Sequence, residues 1–394
     1  MRILQIATNY DPKRLGGAER MVDHLTRHLV KNGHDVGVLT CEEAGDAADY
    51  KIYRVPKPID IAERLGTSIL SIPSMWNVAW QPRLEKIMTG YDLIHFHNTH
   101  SYAITHYGVR AAKRLEKKIV WTPHDYWFAC PRQTLMRNER EECNQAICDA
   151  GCLGKGMRGR WLASRHRAAN ALKDADMVLP PSEYVAGKIR AFGVPAERVR
   201  TIYNGVEIPK SPPVFNHGKS ILYVGRLDVW KGTRVLADAF IALSKIEPDA
   251  ELAVVGEGPE REFLEAKVSQ SRARFHGRVS QDALDGFYAA ASVVVVPSIW
   301  PEPFGLAAVE AMARARPVVA ARSGALPEII EDGRSGVIVT PNDPKALAEA
   351  VLKILNDGKM GKSFGERGRV LAESKFSIEG YGKNVEAAYE SVAR

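Results

Sequence analysis

The chain of 394 residues has few cysteines and no long apolar segment, and both absences narrow its class. It contains five cysteines and no run of 18 or more apolar residues, so we expect no membrane-spanning helix. The first ten residues, MRILQIATNY, have neither the apolar segment nor the cleavage site of a signal peptide. We therefore expect a protein of the cytoplasm, a reducing compartment where clustered cysteines more often bind metal than form disulfides.

Four of the five cysteines are clustered, at Cys130, Cys143, Cys148 and Cys152. Their spacing, C-x12-C-x4-C-x3-C, departs from the commonest zinc-finger spacings, although four thiolates can complete a tetrahedral site. An iron–sulfur cluster uses the same ligands. The pattern predicts a structural metal, mostly zinc, and the alternative is a set of unligated cysteines.

Charge is unevenly distributed in this chain, whose formal net charge is +7. Residues 110–167 hold 13 basic and six acidic side chains, and residues 150–173 hold six basic side chains and none that is acidic. Apolar residues, including Trp161, lie among them, which favours peripheral binding to an anionic membrane surface. The alternative is a solvated helix face. No nucleic-acid-binding motif accompanies the charge, so we expect no nucleic acid partner.

Apolar strand-like segments alternate with amphipathic helical segments in two cycles. The first cycle begins with RILQIAT (strand), GGAER (loop) and a helix that stops at Gly33, and the second contains the strand-like SILYVGR, AELAVVGEG, SVVVVPS and RPVVAAR. Residues 202–219 between the cycles are rich in turn formers and read as a linker. The alternation predicts an α/β protein with two doubly wound domains, a cleft between them, and ligands at the carboxyl ends of strands.

The segment SIWPEPFGLAAVEAM places Glu302 in a loop after an apolar strand and Glu310 in the following helix. Gly305 and Leu306 open that helix, whose first N–H groups and positive dipole end are suited to a phosphate. A carboxylate on each side of a phosphate site can bind the hydroxyls of a sugar and a ribose. The alternative is a capping glutamate and a surface glutamate.

Two further short segments have residues suited to phosphate. In VGRLDVWKG, Arg226 and Lys231 follow a strand, and both cations can bind phosphate oxygens. In GGAER, Gly16 and Gly17 lack Cβ atoms, which allows a phosphate to approach the backbone. A glycine pair after a strand is also often a simple turn.

Together these segments resemble the family-4 retaining glycosyltransferases, which have the GT-B fold. The matching segments are GGAER, TPHD, YNGV, VGRL…KG, VGEGPE and PEPFGLAAVEAM, and they occur in the order of the family across nearly the whole chain. The Glu-x7-Glu element in its EPFG setting is the most specific of them. The donor-binding residues that the resemblance implies are Gly16, Gly17, Arg226, Lys231, Arg278, Val279, Glu302, Phe304, Gly305, Leu306 and Glu310.

The resemblance also implies a role for each polar residue. Arg226 and Lys231 would bind the diphosphate, Glu302 the donor sugar and Glu310 the ribose. His124 of TPHD would lie near the transferred sugar and the acceptor, so the implied catalytic residues are His124, Glu302, Arg226 and Lys231.

Other implied contacts come from backbone and loops. Arg278 and Val279 would lie against the base, and Gly16 and Gly17 would approach the donor phosphates.

The domain boundaries follow from the same comparison of segments. Residues 1–205 would form an acceptor-binding domain with a cysteine-rich insertion at about 130–152, and residues 206–378 would form the nucleotide-sugar-binding domain. The last helix, residues 379–394, would pack back on the first domain.

The expected reaction is retaining transfer of a sugar from a UDP- or GDP-sugar to a hydroxyl, without a catalytic metal. Cations and the helix end would stabilise the leaving diphosphate. The Asp174–Asp176 pattern (DAD) falls at a helix end entering a strand, which favours a structural role over metal binding. No residue is indicated as an enzymatic nucleophile for a double displacement.

The basic N-terminal half suggests a lipid-linked glycan or other cell-envelope polysaccharide intermediate as acceptor. It also suggests a peripheral location on the inner face of the cell membrane. Two alternatives remain: a GT-B epimerase or hydrolase of sugar nucleotides, and a metal-responsive nucleotide-sugar-binding module.

Overall fold

A computed structural model describes residues 1–12, 16–41, 49–55, 80–97, 102–130, 133–137, 141–143 and 171–393. The chain divides into two compact units. The first unit contains Met1–Asn138, Cys143–Tyr203 and Glu379–Arg394, and the second contains Glu139–Glu142 and Asn204–Ile378.

The first unit is built on a six-stranded sheet with the order β3-β2-β1-β4-β5-β8. Every pairing in it is parallel, and Ile3 of β1 lies opposite Val36 on one side and Leu93 on the other. The strands are β1 (Arg2–Ile6), β2 (Asp35–Thr40), β3 (Lys51–Arg54), β4 (Leu93–Phe96), β5 (Lys118–Trp121) and β8 (Met177–Val178). Outside this sheet, β6 (Met136–Arg137) and β7 (Glu141–Glu142) form a separate two-stranded sheet.

Helices of the first unit connect these strands. The helix after β1 has its apolar residues at helical spacing, and Met21, Val22, Leu25 and Leu29 are buried. It begins at Gly17, so most of the predicted GGAER loop is the first turn of a helix rather than a loop. The helices are Gly17–Lys31, Trp80–Met88, Tyr102–Arg114, Glu183–Ala191 and the last helix, Ile378–Ala393.

The second unit is built on another parallel six-stranded sheet, with the order β11-β10-β9-β12-β13-β14. The strands are β9 (Ser220–Val224), β10 (Glu251–Val255), β11 (Ala273–Gly277), β12 (Val293–Val296), β13 (Val318–Ala321) and β14 (Gly336–Val339). The helices are Thr233–Ile246, Arg261–Lys267, Gln281–Ala290, Leu306–Ala313, Leu326–Ile329, Pro344–Asn356 and Gly358–Lys375. None of the helices in the described ranges is long and apolar enough to cross a membrane.

Local sequence accounts for these elements. β12 consists of four valines, all buried, as expected for a central strand covered on both faces. Asp343 caps the helix Pro344–Asn356 by accepting a hydrogen bond from the Ala346 N–H, and proline occupies the first turn, where its missing N–H does no harm. Ser280 caps Gln281–Ala290 in the same way.

The segment that the sequence marks as a linker is bound to the second unit from residue 204 onward. The Arg316 guanidinium donates to the Pro213 and Val214 carbonyl oxygens, and Arg369 donates to the Pro209 carbonyl oxygen. Burial lowers the pKa of Arg316 to about 10. The Val206 N–H donates to the Phe376 carbonyl oxygen, and the Val206 carbonyl oxygen accepts from the N–H of Ile378, the first residue of the last helix. The turn formers therefore mark an ordered edge of the second unit, because two arginines satisfy the carbonyl groups that a turn-rich chain leaves unpaired.

The last helix packs within the first unit. Its Tyr389 hydroxyl lies 2.5 Å from His95 Nδ1 of β4. Its Glu386 carboxylate is hydrogen-bonded to His28, Asn32 and His34. Buried apolar residues, including Val385, lie on the same helix.

The predicted α/β class with parallel sheets is confirmed. In each sheet the strand order reverses once, between β1 and β4 in the first unit and between β9 and β12 in the second. This is the order of doubly wound folds, in which right-handed crossovers place helices on both faces of the sheet. Ligands of such sheets bind beyond the carboxyl ends of the strands at the reversal.

Candidate active site

Two loops of the second unit leave neighbouring strands at the reversal of strand order. The loop after β9 carries Arg226 and Lys231, and the loop after β12 carries Glu302. Lys231 Nζ lies 2.7 Å from Glu302 Oε1, although the two residues are 71 positions apart. The fold thus joins two of the predicted site residues in one ion pair.

Glu302 is fixed through one of its two carboxylate oxygens. Its Oε1 accepts hydrogen bonds from Lys231 Nζ and, at 2.6 Å, from Ser298 Oγ. The residue is 5% exposed, and Lys231 Nζ also lies 4.7 Å from the centroid of the Trp300 ring. Within the described ranges, Oε2 of Glu302 has no hydrogen-bond partner. One oxygen is therefore anchored, and the other is available to a ligand.

The conformation of the first loop depends on a capped turn and a glycine. Asp228 accepts a hydrogen bond from the Trp230 N–H, which caps the short 3-10 helix Val229–Lys231. Gly232 follows with φ of 74°, and a Cβ atom there would lie 2.0 Å from the Pro297 carbonyl oxygen. Only glycine fits this left-handed position against the end of β12, which is how Lys231 is brought close to the second loop.

A second glycine shapes the start of the helix Leu306–Ala313. Gly305 has φ of 108°, and a Cβ atom would lie 2.7 Å from Leu326 Cδ2. Phe304 is buried against Phe376, with ring centroids 5.7 Å apart, while Gly305 and Leu306 are half-buried. The first N–H groups of a helix have no partner within the helix, so this end is suited to an anion.

Glu310 lies in the same helix and is buried, so the reading of it as a surface glutamate is wrong. Its Oε2 accepts a hydrogen bond of 2.9 Å from the Tyr288 hydroxyl. The Arg314 guanidinium lies 5.1 Å from the Tyr288 ring and donates to the Glu310 carbonyl oxygen. A buried carboxylate held in this way has a fixed direction, as a hydroxyl-binding group requires.

Arg226 is far more exposed than Lys231 and Glu302. Its side chain is 71% exposed, and Nε lies 3.5 Å from Asp228 Oδ2. Its carbonyl oxygen accepts a hydrogen bond from the Tyr223 hydroxyl, whose pKa is raised well above its usual value by burial. The backbone is anchored while the guanidinium remains in solvent, where it can turn toward a phosphate.

Arg278 and Val279 lie between β11 and the helix Gln281–Ala290, two strands away from β9. Arg278 is exposed and Val279 is half-buried. In the strand order, β11 lies on one side of β9, whereas β12, which precedes Glu302, lies on the other. The contact of Arg278 and Val279 with a base stays a prediction.

In the first unit, Gly16 and Gly17 are exposed at the start of the helix after β1. Gly16 has φ of −81°, which any residue adopts, and its Cβ would contact only the end of the Glu19 side chain. The described backbone therefore does not itself require glycine here. The approach of these glycines to a donor phosphate stays a prediction.

His124 follows β5 and is half-buried. Its Nε2 lies 3.1 Å from Nδ1 of His97, which follows the neighbouring strand β4, and the two rings are nearly parallel at 12°. His97 Nε2 in turn lies 2.8 Å from Gln5 Oε1 of β1. The predicted catalytic histidine is therefore the end of a polar chain that crosses three neighbouring strands.

Burial favours the neutral form of His97, within this polar chain, and of His95, which lies beside it. Burial lowers the pKa of His95 and of His97 well below the usual histidine value, and the neighbouring histidines lower it further. His95 is hydrogen-bonded to the Tyr389 and Thr122 hydroxyls, and its ring lies 4.0 Å from that of His97.

Several neighbours of the candidate site residues are not evident from the sequence. His97 and Gln5 are spaced by 92 residues, and Tyr288 reaches Glu310 from another helix. The only local signal is the alternation in IHFHN, where two histidines two positions apart share one face of a buried strand.

The cysteine cluster is only partly described. Cys130 is buried and Cys143 is half-buried, whereas Cys148 and Cys152 lie outside the described residues. Among the residues that the structure describes, no group of three or more His, Cys, Asp or Glu side chains is arranged to hold a metal. Two thiols do not complete a zinc site, so the predicted metal stays a prediction.

The two aspartates of the DAD pattern make structural contacts. Asp174 pairs with Lys113 at 2.6 Å, and Asp176 accepts a hydrogen bond from the Ile119 N–H at the edge of β5.

Comparison with known proteins places these features in a family. Residues 15–209 match the family model described as Glycosyltransferase Family 4, and residues 206–371 match the model described as Glycosyl transferases group 1. The chain is 28% identical over 378 residues to "Glycogen synthase" of Mycobacterium tuberculosis, covering 91% of this chain and 86% of that protein.

Two further proteins are similar over nearly their full length. "MMP alpha-(1->4)-mannosyltransferase" of Mycolicibacterium hassiacum is 26% identical, with 96% of each chain covered. The crystal structure of HepE from Anabaena in complex with UDP and glucose superposes with a TM-score of 0.76 at 21% identity, covering 99% of this chain and 100% of that chain. The two family matches and the shared architecture lead to one conclusion: the chain is a glycosyltransferase that belongs to family 4 and has the GT-B fold.

Proposed function

We propose that this protein transfers a sugar, with retention of configuration, from a UDP- or GDP-sugar to a hydroxyl acceptor. The observation that carries the proposal is the Lys231–Glu302 pair at the carboxyl ends of β9 and β12. A cation for a diphosphate and a carboxylate for a sugar lie side by side at the reversal of strand order, where doubly wound sheets bind nucleotides. The solved neighbour with UDP and glucose supports the same class of donor.

The atoms of Glu302 suit the donor sugar. Because Ser298 and Lys231 both engage Oε1, Oε2 is the atom that accepts hydrogen bonds from sugar hydroxyls. Glu302 is nearly buried, so these bonds are shielded from water, and a charged acceptor makes them stronger than neutral ones.

The leaving group is stabilised by cations of the second unit. Lys231, Arg226 and the first N–H groups of the helix Leu306–Ala313 act on the negative charge that develops on the diphosphate. Glu310, fixed by Tyr288, binds the ribose hydroxyls. In this proposal the protein supplies the charge stabilisation that a metal ion supplies elsewhere, so EDTA leaves turnover unchanged.

Retention follows if the acceptor hydroxyl attacks on the face that the diphosphate leaves. His124 of the first unit orients the transferred sugar and the acceptor in this proposal. The anomeric configuration of the product, read from the proton NMR coupling of the new linkage, tests it: an inverted product contradicts the mechanism.

The donor is tested by thermal stabilisation with UDP, GDP and their sugar conjugates, followed by turnover of those that bind. We expect one nucleotide to stabilise wild-type protein and to do so less in Lys231→Ala. Consumption of the donor with no glycosylated product would instead indicate an epimerase or hydrolase.

We propose a glycan or a lipid-linked glycan as acceptor, with the basic segment at an anionic membrane surface. The relatives named above as glycogen synthase and mannosyltransferase support a sugar acceptor. The membrane contact is based on the charge pattern alone, since residues 150–170 lie outside the described residues. Sedimentation with phosphatidylglycerol and phosphatidylcholine vesicles tests it, and equal binding to both would reject it.

We also propose that the four cysteines bind one structural zinc ion. Thiolates are soft ligands suited to zinc, and of the four cysteines Cys130 is buried and Cys143 is half-buried. Elemental analysis of the purified protein tests this directly, and less than about 0.2 equivalents of metal would contradict a four-thiolate site.

A further inference from the structure

In the polar chain behind His124, the hydrogen bonds determine which atom donates and which accepts at each step. It runs from the Val22 carbonyl oxygen through Thr26 Oγ1, Gln5, His97 and His124, with separations of 2.7, 2.6, 2.8 and 3.1 Å. All of its members except His124 are buried. Buried polar groups need partners, so the donor and the acceptor of each hydrogen bond from Val22 to His124 Nε2 can be assigned.

Thr26 determines which way the Gln5 amide faces. Its hydroxyl has one hydrogen, and the Val22 carbonyl oxygen, one turn earlier in the helix, can only accept it. Thr26 Oγ1 therefore accepts from Gln5, so the Gln5 amide nitrogen faces Thr26 and its oxygen faces His97. Since that oxygen can only accept, His97 carries its proton on Nε2.

Neutral His97 then has a lone pair on Nδ1. Burial keeps His97 neutral, as its lowered pKa indicates. Its Nδ1 must accept from His124, so His124 carries a proton on Nε2 and its basic nitrogen is Nδ1.

With the donors and acceptors reversed, the polar chain has fewer hydrogen bonds. If the Gln5 amide were reversed, Thr26 would donate to Gln5 and lose its bond to Val22, and the chain would have one hydrogen bond fewer. In that order His124 Nε2 would be an acceptor, and a proton arriving there would break the contact with His97. Only the first order lets His124 gain a second proton on Nδ1 while it keeps its bond to His97.

We propose that Gln5 and His97 are positioning residues that hold His124 in the Nε2–H tautomer, so that Nδ1, which is buried in this structure, is the acceptor nitrogen that a substrate hydroxyl meets in the substrate-bound state. This inference rests on the role proposed above for His124. A histidine held in the wrong tautomer keeps its place but loses its function, because the atom facing the substrate is then a donor instead of an acceptor.

The direct test is nitrogen NMR of the full chain with ring-labelled histidine, with His124 assigned by the loss of its signals in His124→Asn. We expect neutral His124 as the Nε2–H tautomer in the wild type. His97→Gln has an amide that both accepts from His124 and donates to Gln5, so it should keep this tautomer. His97→Leu removes both bonds, and we expect a mixture of tautomers.

Turnover should be lost in the variant that loses the tautomer and kept in the variant that keeps it. With the nucleotide-sugar that the donor screen identifies, we expect His97→Leu to lower kcat about 100-fold with an unchanged donor KM, and His97→Gln to recover most of the loss. The matched control is Tyr389→Phe. It removes a buried hydrogen bond to His95, which lies beside His97, and leaves every hydrogen bond of the polar chain in place. It should leave the His124 tautomer and kcat unchanged.

Two failures are distinguishable. An Nδ1–H tautomer of His124 in the wild type, or an unchanged tautomer in His97→Leu, would overturn the positioning role. Undiminished turnover of His124→Ala would instead overturn the proposed role of His124 itself, whatever its tautomer.

Discussion

The two units have the same strand order but place different groups at its reversal. In the second unit, the reversal of strand order carries opposite charges, Lys231 and Glu302, joined at 2.7 Å. In the first unit, the corresponding strands carry a chain of uncharged groups, Gln5 and His97, that ends at His124. An ion pair at the carboxyl ends of two central strands is suited to a charged diphosphate, whereas an uncharged polar chain with fixed proton positions is suited to a hydroxyl group.

Lys231→Ala should have the largest effect on the ionic site of the second unit. It removes a cation from the leaving diphosphate, and we expect kcat/KM to fall by about 10²–10³-fold. The matched control is Lys219→Ala in the same unit, because Lys219 also pairs with a glutamate, Glu247, at 2.7 Å and is similarly half-buried. Near-normal turnover of folded Lys231→Ala would reject the phosphate role.

Glu302→Gln tests the same ion pair by removing the charge of the carboxylate while keeping the size of the side chain. The amide can still bond to Ser298, but the acceptor for the donor sugar becomes neutral, so we expect roughly a 10–100-fold loss in kcat/KM. Glu247→Gln is its control, since Glu247 faces Lys219 outside the proposed site. A loss in both variants would point to general charge effects and against a sugar contact.

Tyr288→Phe tests whether the fixed direction of Glu310 matters for the nucleotide. Loss of the 2.9 Å hydrogen bond should weaken binding of the nucleotide by about tenfold, roughly the free energy of one bond to a charged group. Affinities for the nucleotide and its 2′-deoxy analogue are measured by calorimetry. If Glu310 binds the ribose, the difference between the two ligands shrinks in the variant.

The control for that substitution is Tyr381→Phe in the last helix. Within the described part of the chain the Tyr381 hydroxyl is buried without a hydrogen-bond partner. Its removal should leave nucleotide affinity unchanged and the free energy of unfolding unchanged or slightly higher.

The smallest expected effect concerns the last helix on the first unit. Burial alone would raise the pKa of Glu386, but hydrogen bonds from His34, Asn32 and His28 outweigh it and lower that pKa. The carboxylate therefore stabilises the folded state above the ordinary glutamate pKa, and the contribution is lost as pH falls through the lowered value. We expect Glu386→Gln to reduce the free energy of unfolding by about 1 kcal/mol at pH 7 and hardly at all at pH 3. An equal loss at both pH values would contradict this.

Sequence patterns were sufficient for the residues that lie in one contiguous segment. Glu302, Gly305 and Glu310 are a strand, a glycine and a helix turn apart, so their spacing and their resemblance to a family indicated them together. The α/β class followed from alternating segments for the same reason. The loop predicted for GGAER was wrong because a helix tolerates glycine at its first position, where that residue faces solvent.

By itself the sequence determined the two α/β cycles, the family and the residues suited to a nucleotide-sugar, because periodicity and motif are local properties. Only the tertiary structure decided which distant side chains meet. Strand order placed Gln5, His97 and His124 on three adjacent strands, although the chain visits those strands far apart. The same long-range pairing set Tyr288 against Glu310 and Ser298 on one oxygen of Glu302. The proton positions of the histidine chain follow from burial, which removes water as a partner and leaves each polar group to its neighbours.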